Sequence, residues 1–122
     1  MEKFFFAAGC ISAFTGVAAG AFGAHGLKNR LSPDMLDVFE VAVRYQMYHA
    51  FALLFTSWAI TRWPDGHGAT TGWLFLAGTV IFSGSLYILS ISGFRSLGAV
   101  TPLGGLAFLA GWIYLIRTAL QG

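Results

Sequence analysis

From Phe4 to Leu27 the chain runs 24 residues without one charged side chain, and His25 is the only ionisable group in that stretch. As a helix it measures about 36 Å, enough to cross the roughly 30 Å hydrocarbon core of a bilayer. The rest of the chain agrees. Hydrophobic residues make up 57% of the 122 positions and charged residues 10%, against roughly 25% charged in an ordinary soluble domain. A water-soluble domain of this size buries only about two-thirds of its surface and must clothe the remainder in polar atoms. Seven cations and five acids cannot do that. The composition therefore excludes a soluble enzyme, a nucleic-acid binder and a disordered tail, and leaves a chain solvated by lipid. The net charge of +2 comes from scattered residues and makes no polyanion-binding patch.

The single Cys10 has no intrachain partner to pair with. Ala7-Ala8-Gly9-Cys10 faintly resembles a lipoprotein cleavage box. The apolar stretch between Lys3 and Gly9 is shorter than the roughly 7–15 residues of a signal core, so the segment is expected to stay attached as part of the first span.

Four helices are expected within a single domain, at about 4–27, 33–61, 71–92 and 102–119. Gly26 suits the left-handed residue that ends a helix. Ser32-Pro33-Asp34 reads as N-cap, first-turn proline and first-turn acid. Arg62 to Gly68 forms a polar turn, and Thr70 or Thr71 can cap the third helix, which ends near Ser92 with Gly93 following. Thr101-Pro102 repeats the cap-plus-proline signal for the fourth. Short loops make consecutive helices antiparallel neighbours. The expected fold is all-α, a four-helix transmembrane bundle of up-down topology with both termini on the same side. Trp58, Trp63, Trp73 and Trp112 then fall at one membrane face, where indoles favour the headgroup level. Lysine and arginine are nearly balanced between the faces, so orientation stays open.

Apolar helices associate in lipid through close packing of small residues. Ser12, Gly16, Gly20 and Ala24 stack at steps of four on the first helix and include a GxxxG. Gly84 on the third helix, and Gly104, Gly105 and Gly111 on the fourth, offer similar contacts. Whether the first stripe packs within the chain or against a second copy is left open by the sequence.

Ionisable groups inside a span cost roughly 2.5–3.5 kcal/mol on the insertion scale and mark candidate sites. On the second helix Asp37, Glu40, Arg44 and Tyr48 share one face, and Glu40 precedes Arg44 by the four residues that favour an ion pair. Arg44 can also snorkel back toward its own interface. Tyr45, Gln46 and His49 form a second patch on the same helix. His49 lies roughly 13 Å beyond Glu40 along the axis, and needs partners for both ring nitrogens, a hydroxyl or carbonyl on a neighbouring helix being the common solution. Adding His25, Ser83, Tyr87 and Thr101, the polar groups all sort to one half of the bilayer. The expectation is a single polar cluster of His25, Arg44, Tyr45, Gln46, Tyr48, His49, Ser83, Tyr87 and Thr101, facing the bundle interior.

Five stretches also carry a likeness. Gly20-Ala21-Phe22-Gly23-Ala24-His25-Gly26-Leu27, Arg44-Tyr45-Gln46-Met47-Tyr48-His49-Ala50, Ser83-Gly84-Ser85-Leu86-Tyr87, Thr101-Pro102-Leu103-Gly104-Gly105 and Gly111-Trp112 occur in that order. In them the chain resembles the small YgdD-type inner membrane proteins, the family called domain of unknown function 423, which has a eukaryotic relative in transmembrane protein 256. The resemblance implies a multi-pass protein of the bacterial inner membrane and no particular activity. It places His25, Arg44, Gln46, His49, Thr101 and Pro102 at the family's motif positions.

No HExxH, GxSxG or other catalytic motif occurs, so no enzyme is expected. No metal or cofactor is expected either. The first functional reading is a scaffold whose polar cluster meets a lipid headgroup or a partner helix, the partners being the bilayer, a second copy or another membrane protein. The second is proton or small-solute transport as an oligomer. The third is a haem or quinone redox subunit using His25 and His49.

Overall fold

The computed structural model describes residues 1–122. Helix α1 spans Glu2–His25 and α2 spans Pro33–Arg62. Helix α3 (Gly68–Gly78), a π-helical turn (Thr79–Ser83) and α4 (Gly84–Ser92) follow one another without a break and make one rod. A 3-10 turn at Arg95–Ala99 leads into α5 (Thr101–Gln121). The molecule thus has four rods and no strand. Three of them, Glu2–His25, Gly68–Ser92 and Arg95–Gln121, are long and apolar enough to cross a membrane.

The exception is α2, and its position explains why. Ten of its residues are buried, against four in α1. Helix α1 lies along one side of α2, the third rod along another, and α5 packs on the third rod while touching α2 lightly. The polar helix therefore packs between α1 and the third rod, with one face left uncovered. Its core contacts are Ala52 and Leu53 with Phe5, Phe75 and Phe108.

Both chain ends return to the same end of the bundle. The Ser57 hydroxyl donates to the Glu2 carbonyl at 2.6 Å, and the His67 backbone N–H donates to Thr118 Oγ1 at 2.9 Å. The last turns of α2 and the turn that follows it thereby hold both terminal segments, and the rods run up and down.

Local signals are read with mixed success. Ser32 caps α2 as its sequence suggests, accepting from the Met35 N–H at 3.2 Å with Pro33 in the first turn. Gly93 is left-handed, with φ 75°. Gly26 is not: its φ is −86°, and the N–H groups of Gly26 and Leu27 both turn back to the Phe22 carbonyl, so the chain leaves α1 in a right-handed turn. Neither Thr70 nor Thr71 caps α3. The helix starts earlier, at Gly68, and the Thr71 hydroxyl donates to the His67 carbonyl at 2.8 Å inside its first turn. Thr101 is likewise the first residue within α5, because Ser85 engages its hydroxyl.

The seam between α1 and α2 also differs from the expected stripe. The tight contacts are at Gly9, Gly16 and Gly23, where a Cβ would fall 2.9 Å from the Ala50 carbonyl oxygen, 2.6 Å from Met47 Sδ and 2.8 Å from the Phe39 ring. A seven-residue period keeps one seam facing a neighbour over many turns, whereas a period of four drifts around the helix. Gly20 makes only ordinary contact with Val43 at 3.4 Å, Ser12 is part-exposed and Ala24 exposed. The seam is thus an intrachain contact. On α5, a Cβ at Gly111 would fall 2.6 Å from the Phe75 ring, while one at Gly105 would meet nothing closer than 3.9 Å. At Gly84 nothing lies within 4 Å, so it is not a packing glycine.

The π turn is a feature the apolar pattern does not announce. The Thr79 hydroxyl donates to the Phe75 carbonyl four residues back, at 2.9 Å, a bond that competes with the helical ladder. Opposite, Gly104 lets the α5 backbone lie directly on the turn, since a Cβ there would collide with the Phe82 backbone nitrogen. Gly104→Ala is therefore expected to destabilise the fold by about 1–3 kcal/mol through overpacking against backbone. Gly84→Ala, in open space with helical dihedrals, is expected to be neutral or to stabilise by up to about 1 kcal/mol. Unfolding midpoints in a mild detergent check both, and equal destabilisation by the two variants would contradict the packing described.

Candidate functional site

Gln46 is 7% exposed and links three helices. Its Nε2 donates to the Ser12 carbonyl of α1 at 2.9 Å and to Thr15 Oγ1 at 2.8 Å. Its Oε1 accepts from the Tyr87 hydroxyl of α4 at 2.6 Å. Thr15 in turn donates to the carbonyls of Ile11 and Ser12. One amide thus uses both donors and one acceptor site within protein. The Ser12 Oγ beside it is the one buried side-chain polar atom without a hydrogen-bond partner.

His49 is 4% exposed and faces the other way, toward α3 and α5. Its Nδ1 contacts the Tyr45 carbonyl at 2.8 Å, and the Trp112 indole N–H donates to Nε2 at 3.1 Å. A carbonyl only accepts, so Nδ1 carries the proton and Nε2 is the acceptor: a neutral imidazole with both nitrogens satisfied. Phe108 stacks on the ring at a centroid distance of 3.5 Å and an angle of 6°, and Phe75 closes another side at 5.5 Å.

The serines close smaller gaps. Ser83 donates to the Ala42 carbonyl of α2 at 2.7 Å. Ser85 and Thr101 bond at 2.6 Å and tie α4 to α5. Ser90 bonds back to Tyr87 within α4.

These residues do not form the single interior cluster expected. Gln46 with Tyr87, His49 with Trp112, Ser83 with Ala42, and Ser85 with Thr101 are separate closed sets. His25, Arg44 and Tyr48 are exposed, and Tyr45 is 36% exposed at the edge of α2. The reason is angular: Glu40, Arg44 and Tyr48 recur every four residues on the stretch of α2 that no other rod covers. The expected Glu40–Arg44 ion pair is also absent, the one salt bridge in the chain being between the amino terminus and Glu2. Sequence reasoning missed Thr15, although it follows Ser12 by the three residues that bring two side chains to one helix face. It placed Trp112 in the interfacial belt, whereas its N–H is turned to His49.

Chemically, the sealed sets hold and orient helices. No hydroxyl is hydrogen-bonded to His49, whose ring nitrogens are taken by the Tyr45 carbonyl and the Trp112 indole. No three His, Cys, Asp or Glu side chains converge on a metal-sized site. His25 is exposed at the far end of α1, so the two histidines do not flank a common space. What stays open is lateral. Between α1 and the third rod runs a groove of about 490 Å³, with Gln46, Ser83 and Tyr87 among its lining residues and apolar walls from Ile11 and Val80.

Apolar rods outside and paired polar side chains inside define the class, a small helical membrane protein. Residues 19–105 match the family described as "Protein of unknown function (DUF423)", and the chain belongs to that family. It is 44% identical over 120 residues to the UPF0382 membrane protein YwdK of Bacillus subtilis, covering 98% of each chain. It is 46% identical over 114 residues to the UPF0382 membrane protein SH2409 of Staphylococcus haemolyticus, covering 93% of each. The same identity over 114 residues relates it to a UPF0382 membrane protein of Staphylococcus saprophyticus. No solved structure matches the chain.

Interhelical hydrogen bonds in membrane proteins contribute about 0.6 kcal/mol on average and up to about 1.7. A double-mutant cycle with Gln46→Leu and Tyr87→Phe is expected to give a coupling within that range, since Tyr87→Phe alone leaves Gln46 Oε1 unpaired. Unfolding titrations in mixed micelles check it; strictly additive variants would mean that the bond is not made.

Proposed function

We propose that the chain is a multi-pass protein of the bacterial inner (cell) membrane that binds rather than catalyses, a scaffold holding lipid or a partner helix in the grooves along its sides. In this reading all four rods cross the bilayer, α2 included, because the polar atoms of its Gln46 and His49 are satisfied by protein, even where Gln46 lines a groove. The observation that carries the reading is the contrast between interior and exterior. Apart from the Ser12 hydroxyl, the interior polar side chains are paired with one another or with backbone, whereas the groove between α1 and the third rod is open and mostly apolar. Four short rods around a filled core also leave no lumen for a solute.

Native mass spectrometry of the chain released from mild detergent tests the proposal. Retained phospholipid, or a defined complex with a second membrane chain, is expected. A bare monomer under the gentlest conditions that keep it folded would contradict it. Proteoliposomes carrying the chain are expected to leak protons no faster than empty ones, and purified protein is expected to be colourless. Proton flux abolished by His49→Ala, or a Soret band, would replace the binding reading with transport or redox chemistry.

A further inference from the structure

The uncovered face of α2 carries three polar residues in a row. Glu40, Arg44 and Tyr48 are exposed and follow one another at four-residue steps, about 6 Å apart along the axis. Neither Glu40 nor Arg44 has an ionic partner within 4 Å, the amino terminus and Glu2 being the one salt bridge. Beside them lies a cleft of about 270 Å³ between α1 and α2, lined by Gly20 and Ala24 on one side and Glu40, Val43 and Arg44 on the other. The small residues of α1 keep it open.

Depth decides what such a cleft meets. Helix α2 has 30 residues and measures about 45 Å, so about 7 Å projects at each end of a hydrocarbon core of roughly 30 Å. Seven residues from its start at Pro33, Glu40 falls near the hydrocarbon boundary, and Arg44 one turn deeper. Helical side chains lean toward the N-terminus, which carries both charged ends toward the headgroup layer. Tyr48 stands a further turn inside, and the same face continues with the exposed aromatic rings of Phe51 and Phe55.

Read from the boundary inward, the row is an acid, a guanidinium that leans back toward the boundary, and then aromatic rings. A phospholipid with a primary amine has the complementary order: ammonium, phosphate, acyl chains. We propose that this cleft binds one aminophospholipid of the phosphatidylethanolamine class, with its phosphate on Arg44, its ammonium on Glu40 and its acyl chains along the aromatic face below. Arginine presents a planar fork suited to phosphate oxygens, and a carboxylate accepts the N–H donors that a primary ammonium has and a choline lacks. Phosphatidylglycerol brings no cation, so Glu40 would face its phosphate unpaired. A second copy fits less well. Two copies related by a two-fold axis along the membrane normal present the same patch to each other, which sets Glu40 level with Glu40 and Arg44 level with Arg44.

The proposal rests on the membrane-binding reading above, and one experiment separates their failures. The full chain is equilibrated in detergent with equal amounts of phosphatidylethanolamine, phosphatidylglycerol and phosphatidylcholine, and retained lipid is read by native mass spectrometry. One phosphatidylethanolamine per chain is expected. Arg44→Gln is expected to lower its retention by about tenfold, the scale of one hydrogen bond to a charged group. Glu40→Gln is expected to abolish the discrimination against phosphatidylglycerol while lipid is still retained. Both substitutions lie on an exposed face, and unchanged helical circular dichroism and elution volume establish that the variants are folded. Lipid retained equally by all three chains overturns this site and leaves the binding reading standing. No lipid and no partner chain on any of them overturns both. A two-chain mass that Arg44→Gln reduces to one identifies a second copy as the occupant and overturns the lipid assignment.

Discussion

A hydrogen-bonding side chain in hydrocarbon must find its partners within protein, because no water is there to supply them. Helix α2 carries Gln46 and His49 near its middle, and everything else in the molecule is arranged around that demand. Helix α1 brings the Ser12 carbonyl and Thr15 to the Gln46 amide, α4 brings Tyr87 to its oxygen, and α5 brings Trp112 to His49. Every other rod is apolar enough to face lipid by itself. The polar helix consequently lies between α1 and the third rod, and these bonds fix which face of each neighbour turns toward it. Their net contribution to stability is modest, about 0.6 kcal/mol each on average. Their larger effect is on specificity, since a rotated neighbour would leave buried groups unpaired at about 1–3 kcal/mol apiece.

Such bonds form only if the backbones come close, and that is the part played by the glycines. Gly9, Gly16 and Gly23 bring α1 onto α2 within reach of Gln46, and Gly104 and Gly111 bring α5 onto the third rod within reach of His49. The π turn at Thr79–Ser83 belongs to the same design. It lies where α5 presses on the rod at Phe82; its last residue, Ser83, reaches Ala42, and Ser85 just beyond it reaches Thr101.

The rods themselves were legible in the sequence because length without charge is a strong signal, and Ser32-Pro33 and Gly93 mark their ends through local chemistry alone. Thr101 misled because its hydroxyl is bonded to Ser85 on another helix, whereas Gly26 makes the same four-residue backbone bond as Gly93 and yet stays right-handed, for which the structure offers no local reason. The period of the glycine seam was hidden because the chain contains both a four-step and a seven-step series, and only packing against α2 selects between them. Gln46, His49, Ser83, Tyr87 and Thr101 were identifiable as polar residues within apolar rods. Their pairing was not, because periodicity gives an angle on one helix and says nothing about which helix stands opposite. Arg44 and Tyr48 point away from the interior for that same reason. The face they occupy has no neighbour, a fact of the bundle rather than of α2.

The packing of α5 toward α2 therefore hinges on His49 as a neutral imidazole held between the two helices. The most direct test is the nitrogen-15 NMR spectrum of its ring in lipid bilayers. A protonated Nδ1 and an unprotonated, hydrogen-bonded Nε2 are expected, with the Nε2 resonance moving toward that of a free acceptor in Trp112→Phe. A ring protonated at Nε2, or one indifferent to Trp112, would contradict the packing of α5 toward α2.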